Sequence, residues 1–215
     1  MSKQEFDRTW MQRGAQSRLA HPPPGEDVTR VAAVAFLTGI NGLMLDLGSG
    51  EGRLEMLLDQ GSMVGLDENQ TLLVHAKENI KSGASFFAVS GSMLAAPFRR
   101  QSFAAVICLN TLENYPPSYV CQLLDEMLVL LKPGGRLIIS YRGGASIRMK
   151  YHELLHRMHK SGIYQYRFNP RKWINNIGSA YKASVIPLLM KPHGWRRWLG
   201  TPADARALLI IDKAG

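Results

Sequence analysis

Long apolar runs and cysteines are scarce in this sequence of 215 residues. The longest uninterrupted apolar stretch near the N-terminus, Val31 to Leu37, is far too short to span a bilayer. The first ten residues are polar and lack the apolar segment of a signal peptide. The two cysteines, Cys108 and Cys121, indicate free thiols rather than a disulfide scaffold. We therefore expect a cytoplasmic protein without a transmembrane segment.

Internal repeats are absent, and the proline run at residues 22–25 is the one low-complexity segment. The length and a hydrophobic content of 46% predict a single domain with an ample core. Strand-like runs alternate with helical segments, which favours a parallel sheet covered by helices on both faces. We expect residues 1–25 to form an N-terminal helix or lid, residues 26–140 the ligand-binding core, and residues 141–215 a substrate-side insertion with closing strands.

Acidic residues are rare in the last third of the chain. Residues 141–215 hold 14 Lys and Arg against 3 Asp and Glu, a net charge of +11, whereas residues 1–140 have a net charge of −2. This bias favours an acidic partner, such as RNA, an acyl carrier protein, a phosphorylated small molecule or an anionic membrane surface. Residues 193–199 mix cations with aromatic side chains, as nucleic-acid stacking and interfacial anchoring both require. A solvated basic surface with inward-packed tryptophans explains them equally well.

The most informative feature that is present lies at residues 43–53, where an apolar run leads into an acid and three glycines at alternate positions. This order predicts a buried strand that turns through a tight loop into a helix, because glycine adopts backbone angles closed to other residues. A dinucleotide fingerprint has its third glycine three residues after the second. Here the interval is two, and Asp46 precedes the loop. A carboxylate there would repel a pyrophosphate and attract a cationic ligand.

The pattern acid-x-Gly-x-Gly-x-Gly resembles the first motif of the class I S-adenosylmethionine (SAM)-dependent methyltransferases. The resemblance implies a Rossmann-like α/β fold with a doubly wound, seven-stranded, mainly parallel sheet and an antiparallel C-terminal strand. It also implies SAM as cofactor and S-adenosylhomocysteine (SAH) as product. The motif residues that would bind the cofactor are Asp46, Gly48, Ser49, Gly50 and Gly52.

The second predicted strand, residues 62–66, ends in Asp67, 19 residues after Gly48. An acid that accepts the ribose hydroxyls belongs at about this position in such a sheet. Asp67 also precedes a helical run, so that a role as the N-cap of this helix stays open. The resemblance places Glu68 in the cofactor site with Asp67.

The third predicted strand, residues 85–89, is followed by a segment that resembles the family pattern but lacks two acids. Ser92 stands where an Asp commonly meets the adenine amino group, and Ala104 stands where a strand-start Asp is usual. The resemblance implies that Ser92 and the main-chain amide of Met93 contact adenine. The alternative for Ser92 is a plain turn residue.

The fourth predicted strand, residues 105–109, leads into a loop at the carboxyl end of the sheet, where open α/β sheets bind ligands. The resemblance makes Asn110 and Leu112 floor residues beneath the sulfonium. Family members often carry a Glu-His pair in this loop, and this chain has Glu113-Asn114, which supplies no base. Glu113 is either a site residue or the start of a helix.

A Pro-Gly-Gly turn at residues 133–135 is expected to start the fifth strand. Tyr141, just past this strand, is expected to face the methyl acceptor as a candidate catalytic residue. Two later β-like runs, residues 184–189 and 206–211, suit an antiparallel pair that closes the sheet.

Three histidines share one stripe of a predicted helix, and the first of them, His152, is the candidate catalytic base. Its companions are His156 and His159. A metal site is not expected, because no third ligand of the right type is evident. A solvated helix flank is the alternative for all three.

An N-terminal helix is predicted over about residues 4–19. It would act as a lid over the cofactor and acceptor, with Trp10, Arg18 and His21 as lid residues, or else pack against the sheet edge.

The favoured interpretation is methyl transfer to a small-molecule acceptor, acidic or carrier-bound. A base is needed only when the acceptor loses a proton as it attacks, so the lack of an evident base does not argue against catalysis. An RNA methyltransferase that uses the basic last third is the first alternative. A catalytically inactive SAM-binding partner protein is the second.

Overall fold

The computed structural model describes residues 26–80, 83–143, 168–188 and 205–215. The candidate lid residues, His152, His156 and His159, and the basic aromatic cluster at 193–199 lie outside these ranges. The described helices are α1 (Glu26–Leu37), α2 (Gln70–Asn79), α3 (Pro117–Leu130) and α4 (Arg171–Ile174). The described strands are β1 (Leu43–Leu47), β2 (Ser62–Asp67), β3 (Ser85–Ser90), β4 (Phe103–Cys108), β5 (Leu131–Gly143), β6 (Tyr181–Leu188) and β7 (Ala205–Lys213).

The strands form one sheet in the order β3-β2-β1-β4-β5-β7-β6. Strand β1 pairs in parallel with both β2 and β4, whereas β7 runs antiparallel to both of its neighbours, β5 and β6. The expected Rossmann-like sheet with an antiparallel C-terminal strand is therefore confirmed. Strands β2 and β3 lie on one side of β1, and β4 and β5 lie on its other side. The strand order therefore reverses between β1 and β4, and a ligand crevice is expected beyond the carboxyl ends of these two strands.

Apolar residues cover both faces of the sheet, as its doubly wound order requires. One face packs on α3 and α4, and the other on α1. Alternation along β1 sends Leu45 and Leu47 to the α3 face and Met44 to the α1 face. Asp46 is two residues after Met44 and shares its face of the strand, so the Asp46 carboxylate lies beneath α1 and inside the domain.

Strand β5 begins earlier than the predicted turn suggests. Leu131 already pairs with Phe103, and the register then shifts before Ala105 pairs with Arg136. The Pro-Gly-Gly turn forms this irregularity, in which Gly134 has a φ of +73°. The turn therefore lies inside the strand rather than ahead of it.

Both cysteines are free thiols, Cys108 buried in β4 and Cys121 exposed on α3. Across the described ranges no helix is long and apolar enough to cross a membrane.

Candidate functional site

The loop after β1 has the backbone conformation that its glycines predict, but it leads into a short 3-10 helix, Glu55–Leu57, and not into the expected α-helix. Gly48, Gly50 and Gly52 have φ values of +77°, +58° and +76°. The N–H of Gly48 donates to the Leu66 carbonyl over 2.7 Å, which anchors the loop on β2. A Cβ at Gly48 would lie 2.5 Å from Oγ1 of Thr111, so a side chain there would clash with the loop after β4. The loop thus presents main chain rather than side chains at the crevice.

Asp67 holds this loop through its carboxylate. Oδ2 accepts from the Gly50 N–H over 2.9 Å, and Oδ1 accepts from the Asn69 N–H over 2.8 Å. Helix α2 starts at Gln70, and its N-cap is Asn69, whose side chain accepts from the Leu72 N–H. The N-cap alternative for Asp67 is therefore wrong. Its ribose role stays a prediction, and a carboxylate retains lone pairs beyond these two bonds.

Asp46 lies beneath the loop, 4% exposed, together with a second carboxylate that the sequence analysis missed. Burial raises the pKa of Asp46 to about 7, while Arg30 of α1 lowers it and Asp67 raises it. Glu55 is fully buried, and burial and the Asp46 charge raise its pKa well above the usual value. Nothing in the local pattern around Arg30 or Glu55 marks them, because the sheet and α1 bring them to Asp46 from separate segments.

Residues 91–93 lie beside the end of β2, since the Gly91 N–H donates to the Asp67 carbonyl over 3.1 Å. Ser92 starts a short 3-10 turn, Met93–Ala95, and its Oγ accepts from the Leu94 N–H over 3.4 Å. This is the turn role weighed for Ser92 from the sequence. The adenine contacts of Ser92 and Met93 stay predictions, as does the role of half-buried Glu68.

Asn110 occupies an unusual position at the end of β4. Its φ is +55°, a value that Asn tolerates better than most residues. Its N–H donates to Oγ of Ser140 over 2.7 Å, and its Oδ1 accepts from Nη1 of Arg206. Both Asn110 and Arg206 are buried. These contacts join the ends of β4, β5 and β7 into one polar cluster, which we call the Asn110 cluster.

The remaining loop residues after β4 are buried. Leu112 is 1% exposed and packs in the α3-side core. Glu113 lies in a 3-10 turn, Leu112–Asn114, whereas α3 begins only at Pro117. Glu113 therefore lies in a short 3-10 helix and does not start α3, and its role as a site residue stays a prediction.

Tyr141 lies within β5, near its carboxyl end, and not just past the strand as predicted; it is on the face opposite Ser140. Its ring packs edge-on against Phe168, with centroids 6.4 Å apart. Burial raises the pKa of Tyr141, and Arg171 of α4 opposes this shift. The phenol is therefore protonated at neutral pH and can donate a hydrogen bond, but it is a poor base. The sequence analysis missed Ser140 and Arg206. Arg206 could have been found, because a cation at the start of an apolar strand indicates a polar partner at that end of the sheet.

Comparisons with known proteins bear on this site. Residues 44–135 match the family model described as a methyltransferase domain. No curated protein gave a significant match. The fold is similar to magnesium protoporphyrin IX methyltransferase from Synechocystis PCC 6803, solved with bound SAH, with a TM-score of 0.71, 15% identity, and coverage of 99% of this chain and 100% of that chain.

Two further solved structures share the fold. A possible histamine N-methyltransferase from Thermotoga maritima has a TM-score of 0.64 at 15% identity and covers 98% of this chain and 99% of its own. Phosphoethanolamine N-methyltransferase 2 from Haemonchus contortus, in complex with SAM, has a TM-score of 0.61 at 15% identity, over 87% of this chain and 53% of its own. At such identities the similarity establishes the shared fold. The segment that matches the family model contains the glycine loop, Asp67 and the loop after β4.

Proposed function

We propose that this chain, whose residues 44–135 match the family model of a methyltransferase domain, is a class I SAM-dependent methyltransferase that transfers the methyl group of SAM to a small-molecule acceptor of acidic character. The observation that carries the cofactor part is the hydrogen bond from the Gly50 N–H to Asp67. It fixes a glycine-rich loop and an acid at adjacent strand ends, the arrangement that a nucleoside ligand needs.

The residues present fit SAM on three counts. Gly48, Gly50 and Gly52 all have positive φ, so the main chain forms a tight loop that carries no side chains at these three positions. The Asp67 carboxylate is already oriented by two main-chain donors and can accept ribose hydroxyls with its remaining lone pairs. Asp46 lies near the same loop, and a ligand cation would favour its ionised form. These features suit a cationic nucleoside and disfavour a pyrophosphate.

Bound SAM supplies a methyl group on a sulfonium, which is a good leaving group. The chain's own contribution is then mainly placement, since a rigid near-attack geometry removes much of the entropic barrier. Tyr141 and the Asn110 cluster lie near the carboxyl ends of β4 and β5 and the amino end of β7, beside the proposed cradle. Protonated Tyr141 would donate a hydrogen bond to the acceptor rather than remove its proton.

Charge supports an acidic acceptor. The described part of the last third brings Arg206 to the Asn110 cluster and Arg171 close to Tyr141. Both cations come from the segment with a net charge of +11, from 14 Lys and Arg against 3 Asp and Glu in residues 141–215. A negatively charged small molecule would be attracted to this end of the sheet.

One experiment tests both parts of the proposal. The purified protein is titrated with SAH by calorimetry and then incubated with methyl-labelled SAM and a cell extract. The extract is separated into small-molecule, protein and RNA fractions. We expect SAH binding and label in the small-molecule fraction, and neither with Gly50→Arg, whose side chain would fill the cradle. Absence of SAH binding by the wild type would refute the cofactor assignment, and label confined to RNA or protein would refute the acceptor assignment.

A further inference from the structure

The hydrogen bond to Arg206 allows the side-chain amide of Asn110 only one orientation. A guanidinium group has hydrogen-bond donors and no acceptor. The atom of Asn110 that meets Nη1 of Arg206 must therefore be the amide oxygen. The backbone of Asn110 is held as well, because its N–H donates to Ser140. Asn110 consequently directs its Nδ2 amide group away from Arg206, with no freedom to exchange oxygen and nitrogen.

This Nδ2 group is a buried donor. Asn110 is 6% exposed, and within the described ranges no group accepts a hydrogen bond from its Nδ2. A buried amide donor without an acceptor is unfavourable, so polar groups of this kind are usually satisfied in the functional complex. A ligand oxygen is the partner that would satisfy it.

The position of Asn110 relates this donor to the methyl-transfer site. The next residue, Thr111, forms the wall against which a Cβ at Gly48 would clash. Asn110 itself is hydrogen-bonded to Ser140 of β5 and Arg206 of β7. It therefore lies between the glycine loop and the strand ends where cations of the last third gather. The guanidinium of Arg206 adds positive charge next to the donor, which favours a ligand oxygen that carries negative charge.

We propose that Asn110 determines which acceptors the enzyme methylates. Its Nδ2 donates a hydrogen bond to an oxygen of the acceptor, a carboxylate or a carbonyl, and Arg206 is the positioning residue that keeps the donor facing the ligand. This inference rests on the proposed methyltransferase function. An acceptor that presents an ammonium or amide N–H at this point meets another donor and is rejected.

The test uses Asn110→Asp, which keeps the size of the side chain, its tolerance of positive φ and an oxygen for Arg206, but replaces the donor by a second oxygen. Its probe is methyl-labelled SAM with the small-molecule fraction of a cell extract. We expect the labelling rate to fall by about tenfold to a hundredfold, since one charge-assisted hydrogen bond is lost and repulsion replaces it. SAH affinity and thermal stability should remain close to those of the wild type.

Variants of Arg206 test the positioning role. Lys has donors and no acceptor, so Arg206→Lys should retain most of the labelling. The amide of Gln can also accept, so Arg206→Gln allows Asn110 to reverse its amide and should lower the labelling rate without changing SAH affinity. A merely structural role would lower stability with both variants and would not separate them by labelling.

Three outcomes would overturn the inference. Equal labelling by wild type and Asn110→Asp would show that the donor is not used. A parallel loss of SAH affinity in Asn110→Asp would assign the ligand oxygen to the cofactor instead. A wild-type protein that binds SAH but labels no small molecule would refute the proposed acceptor class itself. This outcome is measured on the wild type alone and so is distinguished from a failure of the Asn110 assignment.

Discussion

The main-chain N–H of Gly50 donates to Oδ2 of Asp67 over 2.9 Å, and this bond joins the loop after β1 to the end of β2. The other oxygen of Asp67 accepts from the N–H of Asn69, the N-cap of α2. One carboxylate therefore fixes the glycine loop and the helix start together. A group held on both sides in this way is preorganised for a ligand.

The first prediction concerns this carboxylate. Asp67→Asn leaves one oxygen acceptor where the structure uses two, so one main-chain N–H loses its partner. We expect a loss of about 1 kcal/mol in the free energy of unfolding and a weakening of SAH binding by about tenfold or more. Urea denaturation and calorimetry measure the two effects. Asp59→Asn, on the exposed loop before β2, is the matched control, and an equal effect there would contradict the assignment.

The second prediction concerns the close approach of β2 to the glycine loop. A Cβ at Gly65 would lie 2.6 Å from Oγ of Ser49 and 2.6 Å from the Phe86 ring. Gly65→Ala should therefore destabilise the protein by about 1–3 kcal/mol. Ser49→Ala alone should be nearly neutral, since Oγ of Ser49 has no hydrogen-bond partner among the described residues. In the double variant with Gly65→Ala and Ser49→Ala, removal of the Ser49 hydroxyl should restore part of the stability that Gly65→Ala loses.

A double-mutant cycle on unfolding free energies measures that coupling. Strict additivity of the two substitutions would mean that Phe86, and not the loop, opposes the new methyl group.

The third prediction is a pH dependence. Because the pKa of Asp46 rises from 3.8 to about 7 on folding, the folded state binds the proton more tightly. Stability therefore falls as pH rises through this window, and the raised pKa of Glu55 acts in the same direction. Asp46→Asn should reduce this fall, which urea denaturation between about pH 4 and pH 7 measures. An unchanged pH profile in the variant would contradict the assigned pKa.

Ligand binding should show the opposite trend. We expect the SAH ammonium to favour ionised Asp46, so affinity should increase between about pH 6 and pH 8 with release of a proton. Calorimetry in buffers of different ionisation enthalpy detects that proton. Asp46→Asn should bind more weakly, with little pH dependence over this range.

The fourth prediction separates the two thiols. Cys121 is exposed on α3, whereas Cys108 is buried, and burial together with the charges of Asp46 and Glu113 raises its thiol pKa well above the usual value. A thiol reagent at neutral pH should modify one cysteine in the native protein and both in urea. Cys121→Ser should abolish the native reaction, as mass spectrometry would show. Rapid native modification of Cys108 would contradict its burial.

Much of the fold follows from local pattern. Apolar runs and glycine turns predicted a parallel sheet and the loop at Gly48, whereas the seven-stranded topology with its antiparallel C-terminal strand was implied by the family resemblance. The family resemblance drawn from the order of these motifs is confirmed over residues 44–135. Helix starts were less predictable. Asn69 is the N-cap of α2 and Asp67 is not, although both residue types cap helices well. The Asp67 carboxylate instead accepts a hydrogen bond from Gly50, a long-range contact that local sequence does not reveal.

The site was only partly predictable, for a physical reason. Asn110 and Arg206 meet across 96 residues, and Arg30 and Glu55 reach Asp46 from separate helical segments. Such contacts depend on strand order and register, which local sequence does not encode. The adenine, ribose and acceptor contacts stay predictions that the experiments above address.

The strand order has a consequence for biosynthesis. Strand β7 is inserted between β5 and β6, so an interior member of the sheet is made after both of its neighbours. Until the ribosome has translated residues 205–213, the nascent chain exposes the unpaired edge of β5 and has no Arg206 folded against Asn110. Chaperone protection would matter most during that interval, and the proposed methyl transfer could begin only after residues 205–213 had left the exit tunnel.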